Sequence, residues 1–135
     1  MEFVCKNLDA LDKASATISS LIKYPLILME GEMGSGKTSF VKLFAKNVGV
    51  SANLSSPTFS IIQEYSLDKA NFVHMDLYRL KTISDFIEIG GEDYLEMTKG
   101  FCFIEWPELI ETILPDNYHT IKINVKGIIR IINFV

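Results

Sequence analysis

Two cysteines, two arginines, one tryptophan and no long apolar run mark what these 135 residues leave out, and each scarcity closes off a class of function. Cys5 and Cys102 stand far apart and match no metal-ligand spacing, so neither a disulfide framework nor a zinc module is available. Cys102 falls inside an apolar stretch and reads as a small buried hydrophobe. Arg79 and Arg130 are set against eleven lysines that form no cluster, and the formal net charge is −4. A stand-alone nucleic-acid binder carries a basic face that displaces counterions from the phosphate backbone, and this chain has none. No apolar run approaches the ~20 residues of a membrane-spanning helix. The opening Met1-Glu-Phe-Val-Cys-Lys-Asn7 has neither the basic start nor the apolar stretch of a secretory signal, so the expected compartment is the reducing cytoplasm. Repeats, low-complexity tracts and linkers are absent too. With 48% apolar residues, residues 1–135 are expected to form one domain around one hydrophobic core.

What is present is Gly31-Glu-Met-Gly-Ser-Gly-Lys-Thr38, a complete G-x-x-x-x-G-K-[ST] phosphate-binding loop. A chance match in so short a chain is on the order of one percent or less, given ordinary glycine usage. The flanking residues supply the context that such a loop requires. Pro25-Leu-Ile-Leu-Met-Glu30 reads as a buried strand, and Phe40, Val41, Phe44 and Val48 recur at helical spacing behind the loop. Gly31, Gly34 and Gly36 let successive backbone N–H groups turn toward an anion, with Glu32, Met33 and Ser35 carried between them. The following helix adds its unpaired N–H groups and the positive end of its dipole. Lys37 would place a mobile charge on the outer phosphates, the Thr38 hydroxyl would ligate a magnesium ion, and Ser39 closes the loop's first turn. Nucleotide-phosphate binding is the reading that follows.

Around this unit the patterning predicts an opening amphipathic helix, with Leu8, Leu11, Ala14, Ser15, Ile18, Leu21 and Ile22 on one face and Asn7 or Asp9 as its cap. Phe59–Tyr65 and Phe72–Asp76 read as paired strands about a Leu67–Asn71 turn. Short helices are expected at Ile83–Ile89, broken at Gly90-Gly91, and at Glu92–Thr98, stopped by Gly100. Phe101–Ile104 is an apolar strand ending in Glu105. A further helix runs from Pro107 to Leu114, and His119–Val125 with Ile128–Val135 forms a hairpin turning at Lys126-Gly127. This order predicts a single α/β phosphate-loop domain, with a mostly parallel central sheet, some antiparallel strands, and helices on both faces.

A phosphate loop needs an acidic residue near its magnesium, usually at the end of a neighbouring buried strand. Glu105 and Asp76 both meet that requirement, as metal-shell groups or as groups orienting the attacking water. Glu105 can instead cap the helix after Pro107, and Asp76 can instead cap a helix or pair with Arg79. Arg79 reads as a salt-bridge partner rather than a catalytic finger, and His74 as a packing or hydrogen-bonding residue. Ser55-Ser-Pro-Thr-Phe59 lies where nucleotide switches place a loop that senses the terminal phosphate. Thr58 can hydrogen-bond there, although a proline turn feeding a strand explains the segment as well. Trp106 can stack on the site, brace the loop or simply pack.

Taken together, the loop, Ser56-Pro-Thr-Phe59, His74-Met-Asp-Leu-Tyr-Arg79, Glu88-Ile-Gly90 and Ile104-Glu-Trp-Pro-Glu108 resemble, in order and across most of the chain, the TsaE (YjeE) family. The resemblance implies a phosphate-loop ATPase of the bacterial pathway that adds threonylcarbamoyl to the tRNA adenosine beside the anticodon. It implies ATP and Mg2+ as ligands, weak hydrolysis alone, and stimulation in a complex with TsaB and TsaD. Transfer RNA would be met only through that complex, with no membrane and no direct DNA contact. It also implies that Lys37 and Thr38 hold phosphates and metal, that Asp76 and Glu105 are the catalytic and metal-shell acids, and that Thr58, Trp106 and Arg79 support them. Two positions depart from the family's pattern. Ser39 stands where a second threonine is common, and Asp9, Leu11 and Asp12 occupy the region of a threonine that helps hold adenine. Two other readings compete. A small kinase would need an arginine-bearing lid, hard to build from two arginines and no long insertion. A nucleotide-gated binding module would use the same loop without significant turnover.

Overall fold

The computed structural model describes residues 1–51 and 61–135. Ser56, Pro57, Thr58 and Phe59 therefore lie outside the described residues. Among the described residues, seven strands form one mixed sheet: β1 (Glu2–Cys5), β2 (Leu26–Glu30), β3 (Ile62–Leu67), β4 (Ala70–Asp76), β5 (Phe101–Glu105), β6 (His119–Lys126) and β7 (Ile129–Phe134). Their order is β1-β7-β6-β2-β5-β4-β3. The central four, β6, β2, β5 and β4, run parallel, and antiparallel pairs complete both edges.

The central strands are continuous apolar runs because both sides of the sheet are covered. In β2, Ile27 and Met29 face one core, shared with α1 (Leu8–Ser19) and α2 (Lys37–Val48), while Leu26 and Leu28 face the other. That second core is closed by Phe86 of α3 (Ile83–Glu88), Leu95 of a 3-10 turn at Gly91–Glu96, and Ile110 of another at Pro107–Ile113. Asn7 caps α1, accepting from the Ala10 N–H at 2.8 Å. Phe44 of α2 sits edge-on to Phe103 and Phe101, with ring centroids 4.8 and 5.1 Å away. Such pairs add about 0.5–1.5 kcal/mol each beyond area burial, and here they fix the helix that carries the phosphate loop. Among the described residues no helix is long and apolar enough to cross a membrane.

Several expected boundaries shift. The β3–β4 turn is tighter than Leu67–Asn71: Leu67 pairs with Ala70, leaving Asp68 and Lys69, and Lys69 takes φ 56°. The segments after Gly90 and Trp106 wind as 3-10 helices rather than α-helices, and the second breaks at Ile110. Each is short and is held by one or two apolar anchors, Leu95 in the first and Ile110 in the second. Strand β1 has no counterpart in the expectations. Leu8 and Leu21, expected on the buried face of α1, are exposed.

Candidate functional site

The parallel strands deliver their carboxyl ends to one rim, where an open α/β sheet gathers its ligand-binding groups. The loop leaves β2 at Gly31 and enters α2 at Lys37. Gly31 is hemmed in: a β-carbon there would stand 2.7 Å from the Ile123 carbonyl oxygen of β6 and 2.7 Å from Ser35 Oγ. At the helix entrance Gly36 takes φ 105°, a left-handed conformation that costs glycine little. The Ser35 hydroxyl is buried with no hydrogen-bond partner among the described residues.

Asp76 and Glu105 end adjacent parallel strands and stand opposite one another in register. Glu105 is buried, and the Thr38 hydroxyl donates to its two carboxylate oxygens at 3.1 and 3.3 Å. On its other side His74 Nε2 lies 2.5 Å from Oε2. A carboxylate only accepts, so Nε2 donates this hydrogen bond, leaving Nδ1 as the ring's other nitrogen. That Nδ1 is buried without a partner among the described residues. Asp76, half-buried, accepts from the Tyr78 backbone N–H at 3.1 Å.

Lys37 is buried against the site's own parts. Its Nζ donates to the Gly31 carbonyl at 2.7 Å and lies 3.5 Å from the centroid of the Trp106 ring. Burial lowers its pKa, opposed by the charges of Glu105, Asp76 and Glu108. Trp106 reaches this position from a left-handed backbone, φ 59° and ψ 55°, an outlier for a bulky side chain that functional sites tend to hold. Tyr78 packs on its indole, 5.1 Å between centroids.

These groups open onto one cavity of about 340 Å³, lined by Met33, Gly34, Lys37, Thr38, Asp76 and Glu105 among others. The sequence-expected residues Lys37, Thr38, Ser39, Asp76, Glu105 and Trp106 all border it, whereas exposed Arg79 does not. Arg130 does, and its place there has no counterpart in the sequence expectations. It reaches the loop from β7, Nε donating to the Ser35 carbonyl at 2.9 Å. An arginine inside Ile128-Ile-Arg-Ile-Ile132 is the one signal that could have found it. The hydroxyl and two carboxylates form an all-oxygen donor set, which fits a hard cation such as magnesium that keeps part of its shell as water. Among the described residues no cluster of three or more His, Cys, Asp or Glu side chains forms a protein-only metal site.

Fold and site together define an α/β protein with a glycine loop and a cavity at the carboxyl edge of its parallel strands. The sequence profile described as threonylcarbamoyl adenosine biosynthesis protein TsaE matches residues 5–130. The chain belongs to the TsaE family. It is 37% identical over 117 residues to the tRNA threonylcarbamoyladenosine biosynthesis protein TsaE of Bacillus subtilis, covering 85% of this chain and 72% of that protein. The protein of the same name from Borreliella burgdorferi is 34% identical over 127 residues, covering 90% and 92%. The crystal structure of Bacillus subtilis YdiB superposes with a TM-score of 0.70 at 28% identity, covering 99% of this chain and 83% of that one.

Proposed function

We propose that this protein binds ATP with Mg2+ and hydrolyses it slowly, in support of tRNA threonylcarbamoylation by a cytoplasmic complex with TsaB and TsaD. The observation that carries the reading is the convergence of Lys37, Thr38, Asp76 and Glu105 on one cavity beside the glycine loop. Thr38 and Glu105, already joined by a hydrogen bond, would hold Mg2+, which supplies charge neutralisation at the phosphates when bound. Lys37 would leave the Gly31 carbonyl and the Trp106 ring to meet the outer phosphates. Asp76, at the neighbouring strand end, would orient the attacking water. A second cavity of about 250 Å³, walled by Asn7, Leu8, Leu11 and Ile128 and continuous with the loop at Gly36 and Ser39, is the space available to the nucleoside.

The test is ATP hydrolysis by the purified protein, alone and with TsaB and TsaD, with Lys37→Ala as control. Strong stimulation that the substitution abolishes is the expected result. Nucleotide binding with no turnover under either condition would favour a gated binding module instead. Absence of nucleotide binding would overturn both.

A further inference from the structure

We propose that the layer over the second core, from α3 to the turn at Pro107–Ile113, is a docking face for a protein partner with a basic surface, a role resting on the partner-stimulated reading above. Two large apolar side chains of this layer face solvent: Ile87 is 46% exposed and Ile89 41%. Neither the core nor local propensity accounts for them. Phe86, fully buried, fills the place that α3 offers to the core, and Gly90 at φ 83° turns the chain away at once. Gly91 then packs so closely that a β-carbon on it would run into the Phe86 ring. β-Branched residues are indifferent helix formers, so an isoleucine on the open side of a six-residue helix gains nothing there.

The charge around these isoleucines says what covers them. Residues 83–116 hold nine acidic side chains and a single basic one, Lys99, whereas the rest of the chain holds eight acids and twelve bases. Glu88, Glu92, Asp93, Glu96, Glu108 and Glu111 are exposed on this one layer, and none forms an ion pair among the described residues. Such a layer repels RNA and attracts a basic protein surface, the charges steering the encounter and the isoleucines anchoring it. TsaE proteins serve a tRNA modification, and this chain carries no basic cluster of its own. The basic surface that holds the RNA therefore belongs to a partner, and its charge complements this layer. The layer also reaches the nucleotide site. Trp106, directly before the Pro107 turn, lies against Lys37 and Tyr78, so a partner seated on that turn bears on the lysine that must move to meet phosphate.

Hydrolysis titrated with TsaB and TsaD tests the face, because Ile87, Ile89, Glu92 and Asp93 lie outside the nucleotide cavity. Ile87→Ser combined with Ile89→Ser should raise the half-saturating partner concentration about tenfold or more, with basal hydrolysis and Mg-ATP affinity as in wild type. Glu92→Lys combined with Asp93→Lys should also weaken stimulation, most of all at low salt, where wild type holds its partner best. Lys42→Glu, exposed on α2 in the opposite layer, should leave stimulation unchanged. Wild-type half-saturation in the isoleucine variant would overturn the proposal, as would a matching loss in Lys42→Glu. A charge variant that follows wild type at every salt concentration would overturn the basic partner. If TsaB and TsaD do not stimulate wild type, the partner reading falls and the proposal with it.

Discussion

Replacing His74 with phenylalanine would remove a hydrogen-bond donor from a buried carboxylate while filling most of the same space. His74 and Glu105 are both essentially inaccessible to solvent, and the bond between them is charge-assisted. Such a bond contributes about 1.5–3 kcal/mol, and without it Glu105 keeps only the Thr38 hydroxyl as a partner among the described side chains. Over 135 residues an unfolding entropy of about 2.1 cal/mol/K per residue sums to roughly 280 cal/mol/K, so the melting temperature should fall by roughly 5–11 °C. The same energy expressed at the reacting groups is roughly a ten- to hundredfold loss of turnover, because the carboxylate is free to swing away from Thr38. His74→Gln offers an amide donor in place of Nε2 and should recover part of both losses. The assays are calorimetric melting without ligand and steady-state hydrolysis with saturating Mg-ATP. A melting temperature for His74→Phe within about 2 °C of wild type, with turnover intact, would refute the reasoning, since that shift corresponds to well under 1 kcal/mol.

Other expectations are briefer. Gly31→Ala should lower stability by about 1–3 kcal/mol through overpacking and abolish nucleotide binding, because the added methyl meets the Ile123 carbonyl and Ser35 Oγ at 2.7 Å each; melting and titration measure both. Trp106 is the single tryptophan, and Lys37 lies on its ring. Nucleotide should therefore change the intrinsic fluorescence of wild type but not of Lys37→Ala, and an unchanged spectrum would mean that the lysine stays parked. Burial raises the pKa of both thiols, that of Cys102 to about 12. A chromogenic disulfide at neutral pH should leave both cysteines of the native protein unmodified and react with both after denaturation; rapid native labelling of Cys5 would reveal opening of β1.

The loop, the helix behind it, the strand before it and the final hairpin were legible because each is a local pattern. Glycine spacing, a 3.6-residue period and a two-residue period are carried by neighbours in sequence. Asp76 and Glu105 were legible as acids at strand ends, and the parallel pairing of β4 with β5 brings them together. The partner of His74 was not, since the sequence offered a hydrogen-bonding role without saying to what. Strand β1 escaped notice because four residues with Glu2 and Val4 exposed carry little pattern, and its pairing to β7 is remote. Arg130 and the Ile123 carbonyl were missed for the same reason: their meaning lies in contacts across the sheet. Lys69 and Trp106 adopt left-handed backbone without being glycine: the two-residue β3–β4 turn imposes it on exposed Lys69, and at Trp106 it accompanies packing of the indole against Lys37 and Tyr78.

The walls of the loop come from the far end of the sequence. Arg130 meets Ser35 across 95 residues, and β2 is flanked on one side by β6. Contacts so distant close late, after the intervening chain has been ordered. A growing polypeptide would thus display its whole glycine signature long before it possessed a place to put a phosphate. Occupancy of the pocket would in turn stabilise the hairpin that completes it, making nucleotide a clamp between the first third of the chain and the last.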